Sequence, residues 1–403
     1  MKVAVISFYL MESTIPLVKH LSLSGIEVDL YSLLPYNNQN TFVYDFSSSP
    51  QPIGFVDAKV MRKTFGKRLC DYLSDVDTKV FIFPDRKLQM LFFKDLYYAY
   101  KFARKIKKGD YDLIHIIHTS PRFWFLINLF IKKEKIVQTL HEVISHEGRT
   151  NISSRWILRL LIKNRIPIIF HSDVSKQRFI EFRNSVSSKQ ENEDHLVMIR
   201  FGLFETYYCF SNETGCNEKK EKINILQFGR IVPSKGIDIL LEAVKILQDK
   251  YPIHLIVAGS GEPYFTFKGV NNYQFINRFI PNEEIVSLIR KSDMIVMPYT
   301  SASQSGIPMT VYAFNKPIVA SDIAGLREVI DHLKTGILVD NLDANKLALA
   351  IETLLINRDL KANMSENIKQ KYSDGEFSWP FIANKTIDFY KKQLKNKNFA
   401  ENL

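Results

Sequence analysis

Short apolar runs rich in Val, Ile, Leu and Phe recur along the chain and alternate with stretches whose apolar positions fall three and four apart. The first pattern predicts buried β-strands and the second α-helices. In the first half, residues 2–8, 27–32, 79–83, 113–117, 135–140, 166–171 and 196–199 read as strands. The series restarts at 223–228 and continues through 253–258, 273–276, 294–298, 317–320 and 336–339, with helices predicted over 236–250, 282–290, 308–314, 344–357 and 359–372. Strands taken in turn with helices predict an α/β protein with parallel sheets, and the restart predicts two of them in tandem. Two polar stretches, 184–195 and 211–222, flank the restart. The boundary is placed in the second, giving domains 1–210 and 223–376 joined by a linker, 211–222. A closing segment, 377–403, contains a last helix over 381–394 and no further strand. Open parallel sheets bind ligands at the carboxyl ends of their strands, so chemistry is expected in the strand-to-helix loops and in a cleft between the two sheets.

Charge sharpens this picture. The chain of 403 residues carries 54 Lys and Arg against 43 Asp and Glu, a net charge of +11 that calls for an anionic partner. Residues 1–205 hold 30 basic and 21 acidic side chains, +9, and the remainder only +2. Within the first half, 51–108 has 14 basic against 6 acidic residues, and its end, 88–108, interleaves them with aromatics as an amphipathic basic helix. Nothing approaches the ~18–20 apolar residues needed to cross a bilayer; the nearest run, 123–131, ends at Lys132 and Lys133. The run 3–11 ends at Glu12 without a cleavage site and reads as a strand, not a secretory signal. Cys70, Cys209 and Cys216 cannot all pair and show no CxxC spacing, so a cytosolic setting is expected.

Three loops of the second half carry candidate chemistry. After the strand 223–228, Gly229 leads into a loop presenting Arg230 and Lys235, and Gly236 opens a helix. A guanidinium fork, an ammonium and a helix N-terminus converging on one spot would hold a diphosphate; the alternative is a pair of ordinary loop charges. After the strand 294–298, a small-residue loop brings Ser305 as an N-cap and Pro308 into the first helical turn, so that the amides of Gln304, Ser305 and Gly306 form a second anion cradle. A plain capped helix start is the alternative. Gly259, in the sequence Ala258-Gly-Ser-Gly-Glu262, resembles part of a dinucleotide fingerprint but lacks the third glycine and the later acidic residue. His141 follows the strand 135–140 and would point into the cleft, with His146 five residues on; a loop histidine held by hydrogen bonds is the alternative. His115 reads as structural. The Asp75–Asp77 and Asp110–Asp112 pairs precede their strands and read as solvated turns, and no metal-ligand set is found.

Over 223–372 the order and spacing of these elements resemble the nucleotide-sugar-binding domain of GT-B glycosyltransferases, in particular the retaining family 4 (group 1). The resemblance is carried by Phe228-Gly-Arg230, Lys235-Gly236, the Gly259–Gly261 segment, Phe279, the segment 293–298, the segment 316–330 and Thr335-Gly-Ile-Leu-Val339. It extends more loosely to Tyr111–His115, Thr139–Glu142, Phe170–Ser172 and Arg200–Gly202, and the segment 377–390 resembles the family's closing helix. It implies two Rossmann-like domains facing across a cleft. Arg230 and Lys235 would bind the donor diphosphate, the backbone near Phe279 the base, and His141 would lie by the donor sugar and the reacting centre as a catalytic residue. Gly229, Gly259, Gln304, Ser305, Gly306 and Thr310 complete the implied donor contacts. The resemblance implies a metal-independent transfer without cofactor that retains the anomeric configuration of a nucleotide-diphosphate sugar. Two features depart from the family pattern. Ala302 and Thr310 stand where a Glu-x7-Glu pair is usual, as in a subgroup marked by Gln-Ser-Gly, and Leu10-Met-Glu-Ser-Thr14 replaces a Gly-Gly.

The leading expectation is a hexosyltransferase-like enzyme of cell-surface polysaccharide synthesis, such as capsule or lipopolysaccharide. Its acceptor would be a lipid-linked glycan, met at the inner face of an anionic membrane. A catalytically silent homologue serving as a binding or scaffold subunit is the alternative. An NAD-dependent or epimerase-like enzyme rests on Gly259 and Gly261 alone, and nucleic-acid binding has no supporting motif.

Overall fold

The computed structural model describes residues 1–8, 10–39, 41–84, 92–118, 120–141, 152–186, 193–211, 222–302, 305–340 and 343–401. Two compact units result, Met1–Gly202 with Trp379–Leu403, and Leu203–Ser378.

The first unit is built on β1 (Lys2–Phe8), β2 (Glu27–Pro35), β3 (Gly54–Phe55), β4 (Asp77–Phe83), β5 (Leu113–Ile116), β6 (Ile136–Leu140), β7 (Ile168–Phe170) and β8 (Leu196–Met198). They form one sheet in the order β3-β4-β2-β1-β5-β6-β7-β8, parallel except for β3, whose two residues pair antiparallel with β4. So short an edge strand leaves no periodic signal, and the sequence pattern missed it. Its helices are α1 (Met11–Leu23), α2 (Ala58–Thr64), α3 (Lys67–Tyr72), α4 (Phe92–Lys108), α5 (Pro121–Asn128), α6 (Ile152–Lys163) and α7 (Asp173–Val186). From β4 to β8 the chain advances across the sheet in one direction. Right-handed crossovers therefore lay α4, α5, α6 and α7 side by side on one face, where successive helices pack together. β1 to β2 runs the other way and puts α1 on the opposite face. With both faces covered, central strands become near-continuous apolar runs, as in β1, whose residues 3–8 are all buried and apolar but for Ser7.

The second unit has β9 (Ile223–Phe228), β10 (Ile253–Gly259), β11 (Tyr273–Asn277), β12 (Met294–Met297), β13 (Ile318–Ser321) and β14 (Gly336–Val339) in the order β11-β10-β9-β12-β13-β14, all parallel. Its helices are α8 (Ile237–Leu247), α9 (Asn282–Lys291), α10 (Ile307–Tyr312), α11 (Ala324–Arg327), α12 (Ala344–Ile356) and α13 (Arg358–Ser373). α8 and α12 pack together over a core that includes Ile237, Leu240, Leu241 and Leu347. The last helix, α14 (Trp379–Glu401), belongs to the first unit and packs on α1, with Trp379 stacked on His20 at 5.8 Å.

The division falls at Gly202–Leu203, ahead of the boundary placed after residue 210. Residues 203–210 join the second unit because the Phe204 amide donates to the Met309 carbonyl and the Tyr208 hydroxyl to that of Ala313 (2.8 Å). Of the expected linker, 212–221 lies outside the described residues. The basic helix predicted over 88–108 is described from Phe92 onward, 88–91 also lying outside.

Candidate functional site

In each sheet the chain reverses its direction of advance at one point, opening a crevice between the carboxyl ends of two neighbouring strands. In the second unit that point lies between β9 and β12, the strands that feed the two strongest loops of the sequence. Gly229 takes φ 125° and Gly236 φ 62°. A Cβ at Gly236 would stand 1.9 Å from the Pro298 carbonyl oxygen, and one at Gly259 1.7 Å from that of Gly229. Glycine is required at both positions because backbone meets backbone. The loops are stitched further by the Thr300 amide donating to Ser234 (3.0 Å) and by the Ile231–Gly261 bridge. Ile307 reaches over Gly229, its Cδ1 3.1 Å from where a Cβ would be, which brings the Ser305–Gly306 segment alongside. Gly229, Lys235, Gly259, Ser305 and Gly306 are thus gathered on one surface.

Lys235 is half-buried, with its Nζ 3.7 Å from the centre of the Tyr299 ring. Burial pushes its ammonium down to about 8, and the neighbouring Arg230 guanidinium adds to the shift. Neither cation has a carboxylate partner among the described residues. Two like charges held together in a partly dehydrated loop repel each other, and an anion bound between them would relieve the strain. Phe279 is exposed beside this surface. Its segment is fixed by the Arg278 amide bonding to Gly259 O (2.8 Å) and by a two-pronged Arg278–Glu284 ion pair at 2.8 Å.

Some expectations need correction. Gly306, not Ser305, occupies the N-cap of α10, and no side chain caps that helix. Gly306 is constrained instead by Phe204, whose Cε2 would lie 2.8 Å from an added Cβ. Gln304, like His146, lies outside the described residues. Thr310 is buried within α10, its amide bonded to Gly306 O. At the start of α8, the Ile237 amide donates to the Tyr264 hydroxyl (2.9 Å). This contact and the seat of Lys235 on Tyr299 were not legible in the sequence, since both join residues distant along the chain.

The first unit's reversal lies between β1 and β5. There the His118 Nδ1 donates to Phe8 O (2.7 Å), and the His141 ring lies 6.4 Å from that of His118 and 5.1 Å from that of His171. His171 donates from Nδ1 to Ile199 O (2.7 Å) and stacks on Phe201 at 4.0 Å. Burial pushes His171 down to about 4 and drives His141 well below the ordinary histidine range, so both are neutral at pH 7. The Nε2 of His141 is buried with no hydrogen-bond partner among the described residues. With the ring neutral and this nitrogen unpartnered, His141 is equipped to meet a hydroxyl rather than an anion. His115 bonds Tyr390 and Thr139 through its two ring nitrogens, and burial pushes it down to about 3. Asp75 and Asp77 are ion-paired with Lys19 and Lys79, and Asp112 accepts from the amide of Lys2. At the turn that departs from Gly-Gly, Leu10 adopts φ 35°, held by the Thr14 and Ser13 hydroxyls donating to its carbonyl at 2.8 and 3.2 Å. Burial raises the carboxyl of the adjacent Glu12, a feature the sequence reading did not single out.

Residues 212–371 match the family of glycosyl transferases group 1. An uncharacterized 41.2 kDa protein in the cps region of Klebsiella pneumoniae is 25% identical over 301 residues, 72% of this chain and 81% of that protein. Among solved structures, a glycosyltransferase from Rickettsia africae superposes with TM-score 0.66 at 18% identity, covering 98% of this chain and 99% of its own. Anabaena HepE, in complex with UDP and glucose, superposes with TM-score 0.66 at 17% identity, covering 96% and 98%. The chain therefore has the GT-B fold, and the match to the group 1 glycosyltransferase family lies within its second half, over residues 212–371.

Proposed function

We propose that the protein transfers a sugar from a nucleoside-diphosphate sugar to a growing lipid-linked glycan of the cell surface, with retention of anomeric configuration and without a metal ion. The observation that carries this reading is the pair of cations, Arg230 and Lys235, held together at the β9/β12 crevice with no carboxylate partner among the described residues. A diphosphate is the anion whose size and charge match a guanidinium and an ammonium side by side. As the acceptor hydroxyl attacks C1, the bond from C1 to the diphosphate oxygen breaks and negative charge grows on the leaving group. Arg230 and Lys235 meet that charge as it develops, the role a divalent cation fills elsewhere. With retention, attack and departure share one face of the sugar, so the departing phosphate is the base nearest the acceptor proton. The Anabaena neighbour with UDP and glucose supports the donor class, and the Klebsiella relative of the cps region supports surface glycan synthesis. His141 is assigned to a donor-sugar hydroxyl and the Phe279 backbone to the base. The protein acts in the cytoplasm, peripherally on the inner face of the membrane. No described helix is long and apolar enough to cross it.

A thermal-shift screen with UDP, GDP, ADP and their sugars, followed by transfer assays, tests the reading. Arg230→Ala and Lys235→Ala are each expected to lower the rate ~10²–10³-fold with folding unchanged. Wild-type rates in both variants would refute the site.

A further inference from the structure

Among the described residues, six of the eleven large hydrophobics exposed in the first unit sit on three neighbouring helices of one layer: Phe93, Tyr97 and Tyr100 on α4, Phe125 and Leu129 on and just after α5, and Trp156 on α6. Phe93 and Trp156 are 84% and 60% exposed. Chance would scatter such residues singly over the surface; a cluster with a common outward direction marks a contact face. α4 shows how the sequence builds it. Ala99, Phe102, Ala103 and Ile106 face the core. Phe93, Tyr97 and Tyr100 follow one another at helical spacing on the outer side, and beside them runs a second stripe of Lys94, Lys101, Lys105 and Lys108. Lys101 holds its ammonium 5.8 Å from the Tyr97 ring. The single acidic residue of α4, Asp95, is 2% exposed and contributes nothing to the outer face. α6 repeats the device with Arg155, Arg159 and Lys163 around Trp156 and no acidic residue.

We infer that the outer faces of α4, α5 and α6 form one docking surface for an anionic phospholipid bilayer. Aromatic rings and Leu129 enter the interfacial layer while Lys and Arg meet the headgroups. Exposed apolar side chains backed by positive charge with no ion pair among the described residues fit such an interface in both respects. A nucleic acid or an acidic protein would use the charge but give Phe125 and Leu129 no apolar layer to enter. Trp156 is the residue no charge or periodicity argument singles out, because α6 becomes part of the face only when the sheet places it beside α5. The inference rests on the proposed function in taking the protein to act at a membrane on a lipid-borne acceptor, and it adds which face meets the bilayer.

The test is co-sedimentation of the full chain with vesicles of phosphatidylcholine alone or mixed with phosphatidylglycerol, at low salt. Wild type is expected to pellet only with the anionic vesicles. Phe93→Ser with Trp156→Ser, and Lys101→Glu with Arg159→Glu, should each weaken that binding by ~tenfold or more at unchanged Tm. Undetectable binding of wild type overturns the inference, as does wild-type binding by the Phe93/Trp156 variant or displacement from the vesicles by a short RNA duplex. Transfer to a water-soluble acceptor analogue reports separately on the proposed function: it should persist in both double variants, and its absence in wild type would count against the function and not the surface.

Discussion

Lys235 offers the sharpest test of the donor site, because its environment ties affinity to pH. With its ammonium at about 8 in the unliganded protein, ~90% is charged at pH 7 and only ~10% at pH 9. A nucleoside diphosphate selects the charged form, so its dissociation constant should rise ~tenfold between those two pH values. The charge-assisted bond itself is worth ~1.5–3 kcal/mol. Lys235→Met, which keeps the length of the side chain and its seat on Tyr299, should therefore weaken binding ~10–150-fold at pH 7 and abolish the pH slope. Arg230 supplies part of the downward shift, so Arg230→Met should move the midpoint of the slope upward while lowering affinity. Isothermal titration with the nucleotide found by thermal shift, from pH 6.5 to 9.5, reads all three. A flat wild-type profile, or a slope surviving in Lys235→Met, would refute the reasoning. The same shift has a stability consequence of opposite sense. A lysine whose native pKa is depressed is a cost to the fold below about pH 8, relieved as pH rises from there toward the ordinary lysine value. Unliganded Lys235→Met should accordingly melt higher than wild type at pH 7.

Other outcomes follow from the packing. Gly259→Ala places a methyl group 1.7 Å from the Gly229 carbonyl oxygen and should cost more than ~3 kcal/mol in urea unfolding. Gly306→Ala presses on the Phe204 ring, so its cost of ~1–3 kcal/mol should be partly recovered by adding Phe204→Leu. His115 and His171 are neutral in the fold but take up protons when unfolded. Stability should fall as pH drops from about 6.5 toward 4, and His115→Gln should flatten that slope by about one proton. His141→Ala should lower the transfer rate with little change in nucleotide affinity, whereas loss of nucleotide binding would place His141 elsewhere.

Much of the architecture was legible without the structure. β1, β9 and β14 have the predicted ends, because short, mainly apolar runs of strand length mark strands buried in a parallel sheet. Lys235 and Gly236 were legible as a strand-to-helix loop with a cation. The two residues of β3 and the membership of 203–210 in the second unit were not, since each depends on partners far along the chain.

The sequence by itself determined which segments become strands and helices, that the second series carries a two-cation loop, and that positive charge gathers in the first half. Those are local properties, set by side-chain periodicity and composition. Only the tertiary structure decided what the charges face. Strand order, which the sequence does not state, set β9 beside β12 and so laid Lys235 on Tyr299 next to Arg230. The same ordering in the other sheet set α6 beside α5, turning three separate amphipathic patterns into one face. Parallel sheets join residues through crossovers long enough to erase any local signal, and the proposed site sits where such crossovers meet.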